Sequence, residues 1–147
     1  MTKLTIVAAF AVLSATSALP ATAGSEPAGT QPRDGELQVS MEERDGKMLY
    51  IPAQVEIRKG ETIKFVIYNN GELDHEFVLA TTEENLKHAE AMEMNPEMEH
   101  DDPNATRVAP RQTSEIIWKF TKPGQFEFAC LIPGHRDAGM FGSVDVK

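Results

Sequence analysis

The chain of 147 residues contains one cysteine, Cys130, and therefore cannot form an internal disulfide. Exported proteins usually place their cysteines in pairs. If this chain is exported, as its N-terminus indicates below, a single cysteine indicates either pairing with another molecule or a thiol that has a chemical role of its own.

Basic side chains are also scarce. The chain has 14 Lys and Arg against 23 Asp and Glu, a formal net charge of −9. Nucleic acids and anionic membrane surfaces carry charge of the same sign, so we expect neither as a partner. No repeat of fixed period is present, and the length is typical of one folded domain.

Long apolar runs are absent as well. The run from Leu4 to Leu13 is well short of the ~20 residues that a membrane-spanning helix needs. It follows Lys3 and precedes small residues that end at Ala23, which is typical of a secretory signal peptide. We therefore expect cleavage after Ala23, export to the periplasm and no membrane anchor.

The rest of the chain divides into a leader and a domain. Residues 24–35 have no large apolar side chain and are predicted to be a flexible leader after the signal peptide of residues 1–23. Residues 36–147 are the predicted domain. Short apolar or alternating segments separated by Gly and Pro turns predict antiparallel strands in a sandwich or barrel. These segments are 37–41, 55–57, 62–69, 75–80, 114–120, 125–129 and 142–146.

Residues 81–110 depart from this pattern. Thr81 and Glu84 form a capping-box pattern, and the residues after them are good helix formers. Pro96 and Pro103 prevent a long helix. The segment is therefore predicted to be a short helical insertion between two strands, followed by an acidic loop.

The segment FACLIPGHRDAGMFG, residues 128–142, carries Cys130, His135 and Met140 on one short loop. Thiolate, imidazole and thioether groups are ligands for a soft or borderline metal. A fourth ligand must come from elsewhere, and His75 is the best candidate because it begins a strand directly after the turn NNGELD. Two histidines, a cysteine and a weakly bound methionine are the ligands of blue copper sites.

Two segments, VEIRKGETIKFVIYNNGELDHEF and TKPGQFEFACLIPGHRDAGMFGSVDV, resemble the cupredoxins, the plastocyanin–azurin family of small exported blue copper proteins. The resemblance implies an all-β, Greek-key β-sandwich, to which this chain adds the short Met- and His-rich helical insertion predicted above. It also implies one type 1 copper held by His75, Cys130, His135 and Met140. Many cupredoxins have an asparagine after the first histidine, and Glu76 stands there in this chain. A charged neighbour of a ligand can change the reduction potential.

Other interpretations of the loop account for fewer residues. A lone cysteine or methionine is usually a packing residue. A cysteine hydrolase with His135 as base leaves His75 and Met140 unexplained. Methionine is a poor zinc ligand, and a dinuclear copper site needs a second cysteine. We expect no enzymatic activity, because oxidase or nitrite reductase chemistry needs a second copper centre that the sequence does not provide.

A second group of possible ligands lies in the insertion. Thioethers bind Cu(I) well, so this group can form an additional Cu(I) site. Alternatively, Leu86, Ala89 and Met92 pack a short helix onto the sandwich and the other methionines only fill gaps. The residues are His88, Met92, Met94, Met98 and His100.

Two functions follow from these sites. The first is a monomeric periplasmic carrier that transfers one electron to or from a redox partner protein by cycling copper between Cu(II) and Cu(I). The alternative is a copper-tolerance or copper-delivery protein that binds excess periplasmic copper, works with other copper-handling proteins and uses the insertion as an additional site.

Overall fold

A computed structural model of the chain describes residues 25–27, 34–96 and 102–147. These residues form strands and one helix, in chain order: β1 (Ser25–Pro27), β2 (Gly35–Arg44), β3 (Lys47–Ile51), β4 (Gln54–Ile57), β5 (Thr62–Asn69), β6 (His75–Ala80), α1 (Thr82–Met94), β7 (Ala105–Val108), β8 (Thr113–Phe120), β9 (Gly124–Ala129) and β10 (Phe141–Val146).

The strands form two sheets that pack face to face. One has the order β1-β8-β5-β2-β3 and the other the order β4-β10-β9-β6-β7. Alternate residues of the strands point inward, so large side chains from both sheets fill the space between them. Trp118 and Phe65 of the first sheet and Phe77 and Phe128 of the second are at most 1% exposed. The predicted β-sandwich is confirmed.

Among the described residues, the strands β1, β3 and β7 were not predicted from the sequence. Strand β3 follows β2 through Asp45 and Gly46, which have φ angles of 53° and 75°. An Asp-Gly pair with positive φ angles is a strong hairpin signal, and Asp45-Gly46 is the signal in the sequence for this hairpin. Strand β7 lies within the segment predicted to be an insertion and loop, where it pairs with the edge of β6.

Helix α1 begins with the capping box that the sequence predicts. The side chain of Thr81 accepts a hydrogen bond from the backbone N–H of Glu84, whose side chain accepts from the N–H of Thr81. The helix packs on the sandwich through Met92, which is buried with Leu131 and other apolar residues in a small second core. The predicted helical insertion is therefore confirmed, although the chain after it returns to the sheet as β7.

The N-terminal predictions lie mostly outside the described residues. The signal peptide of residues 1–23 and residues 28–33 of the leader are among these. Within the predicted leader, β1 pairs with β8 as an antiparallel strand, because the second edge of β8 offers unpaired backbone groups beside its pairing with β5. In the described part of the chain no helix is both long and apolar enough to cross a membrane.

Candidate metal centre

His75 is held at the start of β6 by the turn that precedes it. The buried side chain of Asn69 donates to the carbonyls of Leu73 and Val108 at 2.7 and 2.8 Å. Its amide oxygen accepts from the N–H of Gly71 at 2.9 Å. These bonds fix the turn between β5 and β6 that directly precedes His75, and the side chain of His75 is fully buried.

Cys130, His135 and Met140 lie on the loop that joins β9 to β10. The backbone N–H of Cys130 donates to the carbonyl of Met140, and the N–H of Met140 donates to the carbonyl of His135, both at 3.1 Å. Gly134 and Gly139 have φ angles of 84° and 103°, which other residues rarely adopt. The loop therefore folds back on itself and brings its three candidate ligands to one end of the sandwich.

Three of the predicted ligands converge. Nδ1 of His75 lies 3.2 Å from Nδ1 of His135, which in turn lies 3.3 Å from Sγ of Cys130. One ligand atom from each residue lies within 4.8 Å of the other two. His75 and Cys130 are buried and His135 is half-buried. Two nitrogens and one sulfur fit the donor set that copper prefers in a trigonal site.

In the absence of a metal, burial changes the pKa values of Cys130 and His135. Burial raises the pKa of the Cys130 thiol from its usual 9.0 to about 12, although the N–H of Glu76, 3.3 Å from Sγ, opposes the shift. Burial and the neighbouring His75 lower the pKa of His135. A neutral imidazole can bind a metal directly, whereas the thiol must lose its proton, which a bound cation favours.

Met140 is fully buried and belongs to the same core cluster as Cys130. The backbone of Met140 makes the two loop hydrogen bonds described above, so its position is fixed relative to Cys130 and His135. The thioether is thus a candidate weak ligand from the same loop. That all four residues hold copper remains a prediction from the donor types and their placement.

Glu76 contributes to the site through its backbone. Its N–H points at Sγ of Cys130, and its carbonyl accepts a hydrogen bond from the buried hydroxyl of Tyr50. The residue is 5% exposed. The backbone of this position therefore connects β6 to the thiol of Cys130 through a contact that does not involve the side chain of residue 76.

The possible ligands of the insertion occupy different environments. His88 is half-buried, Met92 is completely buried in the small second core and Met94 is 82% exposed. Met98 and His100 lie outside the described residues. The buried position of Met92 agrees with the packing alternative for that residue, and the second copper site stays a prediction.

Two groups beside the candidate ligands were not predicted. Glu43, near the end of β2, has Oε1 2.8 Å from Nε2 of His75. Arg136, next to His135, donates to both carboxylate oxygens of Glu127 at 3.2 and 2.9 Å. No local sequence signal identifies either contact, because both join residues from different strands or loops.

A β-sandwich with a buried cysteine and two converging histidines at one end is the arrangement of the cupredoxin class. The chain belongs to the copper-binding proteins of the plastocyanin/azurin family, whose model matches residues 37–147. Curated relatives named copper-resistant cuproprotein CopI include one from Rubrivivax gelatinosus and one from Pseudomonas aeruginosa. The one from Rubrivivax gelatinosus is 53% identical over 68% of this chain and 61% of its own length, so the chain spans about three fifths of that relative. The one from Pseudomonas aeruginosa is 33% identical over 92% of this chain and 91% of its own length.

The fold is similar to that of solved cupredoxins. The reduced auracyanin of the photosynthetic bacterium Roseiflexus castenholzii matches with a TM-score of 0.64 and 20% identity. The match covers 79% of this chain and 99% of the auracyanin. At this level of identity the similarity concerns the fold alone.

Proposed function

We propose that this protein binds one copper ion at His75, Cys130, His135 and Met140 and serves copper tolerance. The observation that carries the proposal is the convergence of two imidazole nitrogens and one thiol sulfur within 4.8 Å. Copper tolerance is favoured over other roles of such a site because the relatives at 53% and 33% identity are named copper-resistant cuproproteins.

Each residue has a distinct task in this proposal. The nitrogens of His75 and His135 and the sulfur of Cys130 provide three strong ligands, and the thioether of Met140 provides a weak fourth. Bound copper supplies one-electron chemistry between Cu(II) and Cu(I). The protein supplies the position of the ligands, because strand ends and loop hydrogen bonds hold the donor atoms together before the metal arrives.

The proposal includes export. The predicted signal peptide sends the chain to the periplasm, where excess copper enters the cell. A single thiol in that compartment has no internal disulfide partner and stays available as a ligand.

Growth in copper tests the proposal. A strain that lacks the gene is expected to grow poorly at raised copper and to recover with the wild-type protein. The Cys130→Ser protein is expected to fail, because it lacks the strongest ligand. Glu56→Gln, which changes one charge on β4, serves as the matched control and is expected to protect fully. Full protection by Cys130→Ser would contradict the proposal.

Electron transfer is a second candidate function. It is favoured by the hydrogen-bonded loop, since a site that holds its ligands in place reorganises little when copper gains or loses an electron. His135 is half-buried and so lies near the surface. Met140→Leu distinguishes the two functions, because we expect this variant to retain copper while its reduction potential changes. A carrier should then exchange electrons at an altered rate, whereas a protein that only binds copper should protect cells as before.

A further inference from the structure

The two ring nitrogens of His75 face different groups. Nδ1 lies 3.2 Å from Nδ1 of His135, on the side of the cysteine. Nε2 lies 2.8 Å from Oε1 of Glu43. An ionised carboxylate accepts hydrogen bonds and does not donate them, so the proton of a neutral His75 belongs on Nε2. The carboxylate thereby determines which nitrogen has a lone pair for a metal.

The carboxylate of Glu43 is itself held in place. Its Oε2 accepts from the N–H of Glu72 at 2.9 Å, and its Oε1 accepts from the N–H of Leu73 at 3.1 Å. Gly71 leaves the space for it, since a Cβ at that position would lie 2.1 Å from Oε1 of Glu43. Although partial burial opposes it, hydrogen bonds from Glu72, His75 and Leu73 lower the pKa of Glu43. Backbone amides, the imidazole and a glycine thus orient one carboxylate.

We propose that Glu43 is a positioning residue of the metal centre, which fixes the Nε2–H tautomer of His75 and favours Cu(II) over Cu(I). The inference rests on the proposed function, because it assigns a role relative to bound copper. A carboxylate that accepts from the second nitrogen of a ligand histidine fixes the ring and increases the basicity of the ligand. A nearby negative charge also stabilises the more highly charged cation.

A purely structural role for Glu43 must be distinguished from this one. The same carboxylate accepts hydrogen bonds from the backbone of the turn formed by Gly71, Glu72 and Leu73. Its loss can therefore destabilise the fold without any effect on copper binding. The tautomer of His75 and the ratio of the Cu(II) and Cu(I) affinities report on the imidazole contact. Folding stability alone does not.

The tautomer is measured first, on the apo protein. Nitrogen NMR of the imidazoles, at a pH where both are neutral, should place the proton of His75 on Nε2 in the wild type. Glu43→Ala should give a mixture of both tautomers. Glu43→Gln, which keeps an oxygen acceptor without the charge, should retain more of the Nε2–H form than Glu43→Ala does.

Copper affinity is measured next, by competition with chelators of known affinity. Replacement of a residue that orients a metal-bound histidine typically lowers metal affinity about 10–100-fold. We expect a loss of this size for Cu(II) in Glu43→Gln and a smaller loss for Cu(I). If the Cu(II) loss exceeds the Cu(I) loss tenfold, the potential rises by about 59 mV. Glu56→Gln is the matched control, since it removes the same charge from β4, and it should change neither affinity.

Gly71→Ala perturbs the same contact without changing Glu43. Gly71 does not have a left-handed φ angle, so the added methyl acts chiefly by displacing the carboxylate. We expect a shift of the tautomer and of the affinity ratio in the same direction as for Glu43→Ala. In the double variant Glu43→Ala/Gly71→Ala, the methyl has no carboxylate to displace, so the two effects should not add.

The outcomes separate the two proposals. An unchanged tautomer in Glu43→Ala, or an unchanged ratio of Cu(II) to Cu(I) affinity in Glu43→Gln, overturns the role of Glu43. If the wild type binds no copper while Glu43→Ala still alters the tautomer, the proposed function fails, as does the effect on copper, but Glu43 still orients His75.

Discussion

The side chain of Arg136 binds the carboxylate of Glu127 through two hydrogen bonds of 3.2 and 2.9 Å. The same carboxylate accepts from Nδ2 of Asn85 in helix α1 at 3.2 Å. The guanidinium also lies 5.0 Å from the ring centroid of Phe141. Because Arg136 directly follows the candidate ligand His135, one buried carboxylate joins the insertion helix, strand β9 and the loop between β9 and β10.

Arg136→Ala is expected to destabilise the fold. It leaves the carboxylate of Glu127, whose side chain is 7% exposed, without its charged partner. Removal of one member of a buried pair costs about 3–5 kcal/mol, and we expect the lower end because the Arg136 side chain is itself 21% exposed. Denaturant unfolding of the apo protein measures the change. The control Arg58→Ala removes an 88% exposed side chain, and its cost should be near zero. Equal losses in both variants would refute the prediction.

The visible spectrum tests the ligand assignment. Cu(II)-loaded wild type should absorb strongly through charge transfer from the Cys130 thiolate. Cys130→Ser should lose the band completely, and His75→Ala should lose it as well. Met140→Leu should keep a band and shift the potential, because the thioether bond is weak. A band that survives in Cys130→Ser would show that the thiolate is not a ligand.

The thiol of the apo protein should react slowly with iodoacetamide. Cys130 is fully buried, and its pKa is raised to about 12. The thiolate is the reactive form, so the rate at about pH 8 should be far below that of the unfolded chain, whose thiol has an ordinary pKa. With a raised pKa, the rate in the folded state should still increase with pH above 9.0, where the unfolded chain levels off. A reaction rate of the folded protein that levels off near pH 9 would contradict the raised pKa of Cys130.

The candidate ligands of the loop are recognisable in the sequence because they are local. Cys130, His135 and Met140 lie within one short segment, where donor type and turn residues carry the information. His75 is recognisable as a candidate fourth ligand because it begins a strand directly after a turn. The contact between Glu43 and His75 depends instead on the parallel pairing of β2 with β5, in which Met41 lies opposite Asn69. That register is a property of the assembled sheet and has no signal near either residue.

The insertion illustrates the same limit. The capping box at Thr81 was visible in the sequence because it involves residues three apart. The sequence does not show which helical side chains face the sandwich, because that depends on how the helix packs against β6 and β9. Docking buries Met92 and leaves Met94 exposed.

Processing of the exported chain provides a further test. If residues 1–23 are a signal peptide, the mature protein should begin at Gly24, and its intact mass should match residues 24–147. The loss of Lys3 with the signal should leave 13 basic and 23 acidic side chains. Export of a chain that keeps Met1 would contradict the prediction, as would a start far from Gly24.

Substitution of the methionines of the insertion tests the second copper site. If His88, Met92, Met94, Met98 and His100 bind copper, the Cys130→Ser protein should still bind about one Cu(I), as expected from thioether ligands. Replacement of the three methionines by leucine in that background should abolish this binding, because leucine keeps the volume and helix propensity but has no sulfur.

The buried and exposed methionines sharpen this experiment. Met92 packs in the second core, so Met92→Leu should cost less than about 1.5 kcal/mol, as volume-conserving exchanges do, and unfolding measurements provide the control for its effect. Met94→Leu changes an exposed side chain and should not alter stability. With Cys130 intact, the triple variant should keep its visible band but protect cells less against copper. If Cu(I) stoichiometry and copper tolerance both stay unchanged, the methionines serve only in packing and solvation, and copper is bound at the His75 and Cys130 site alone.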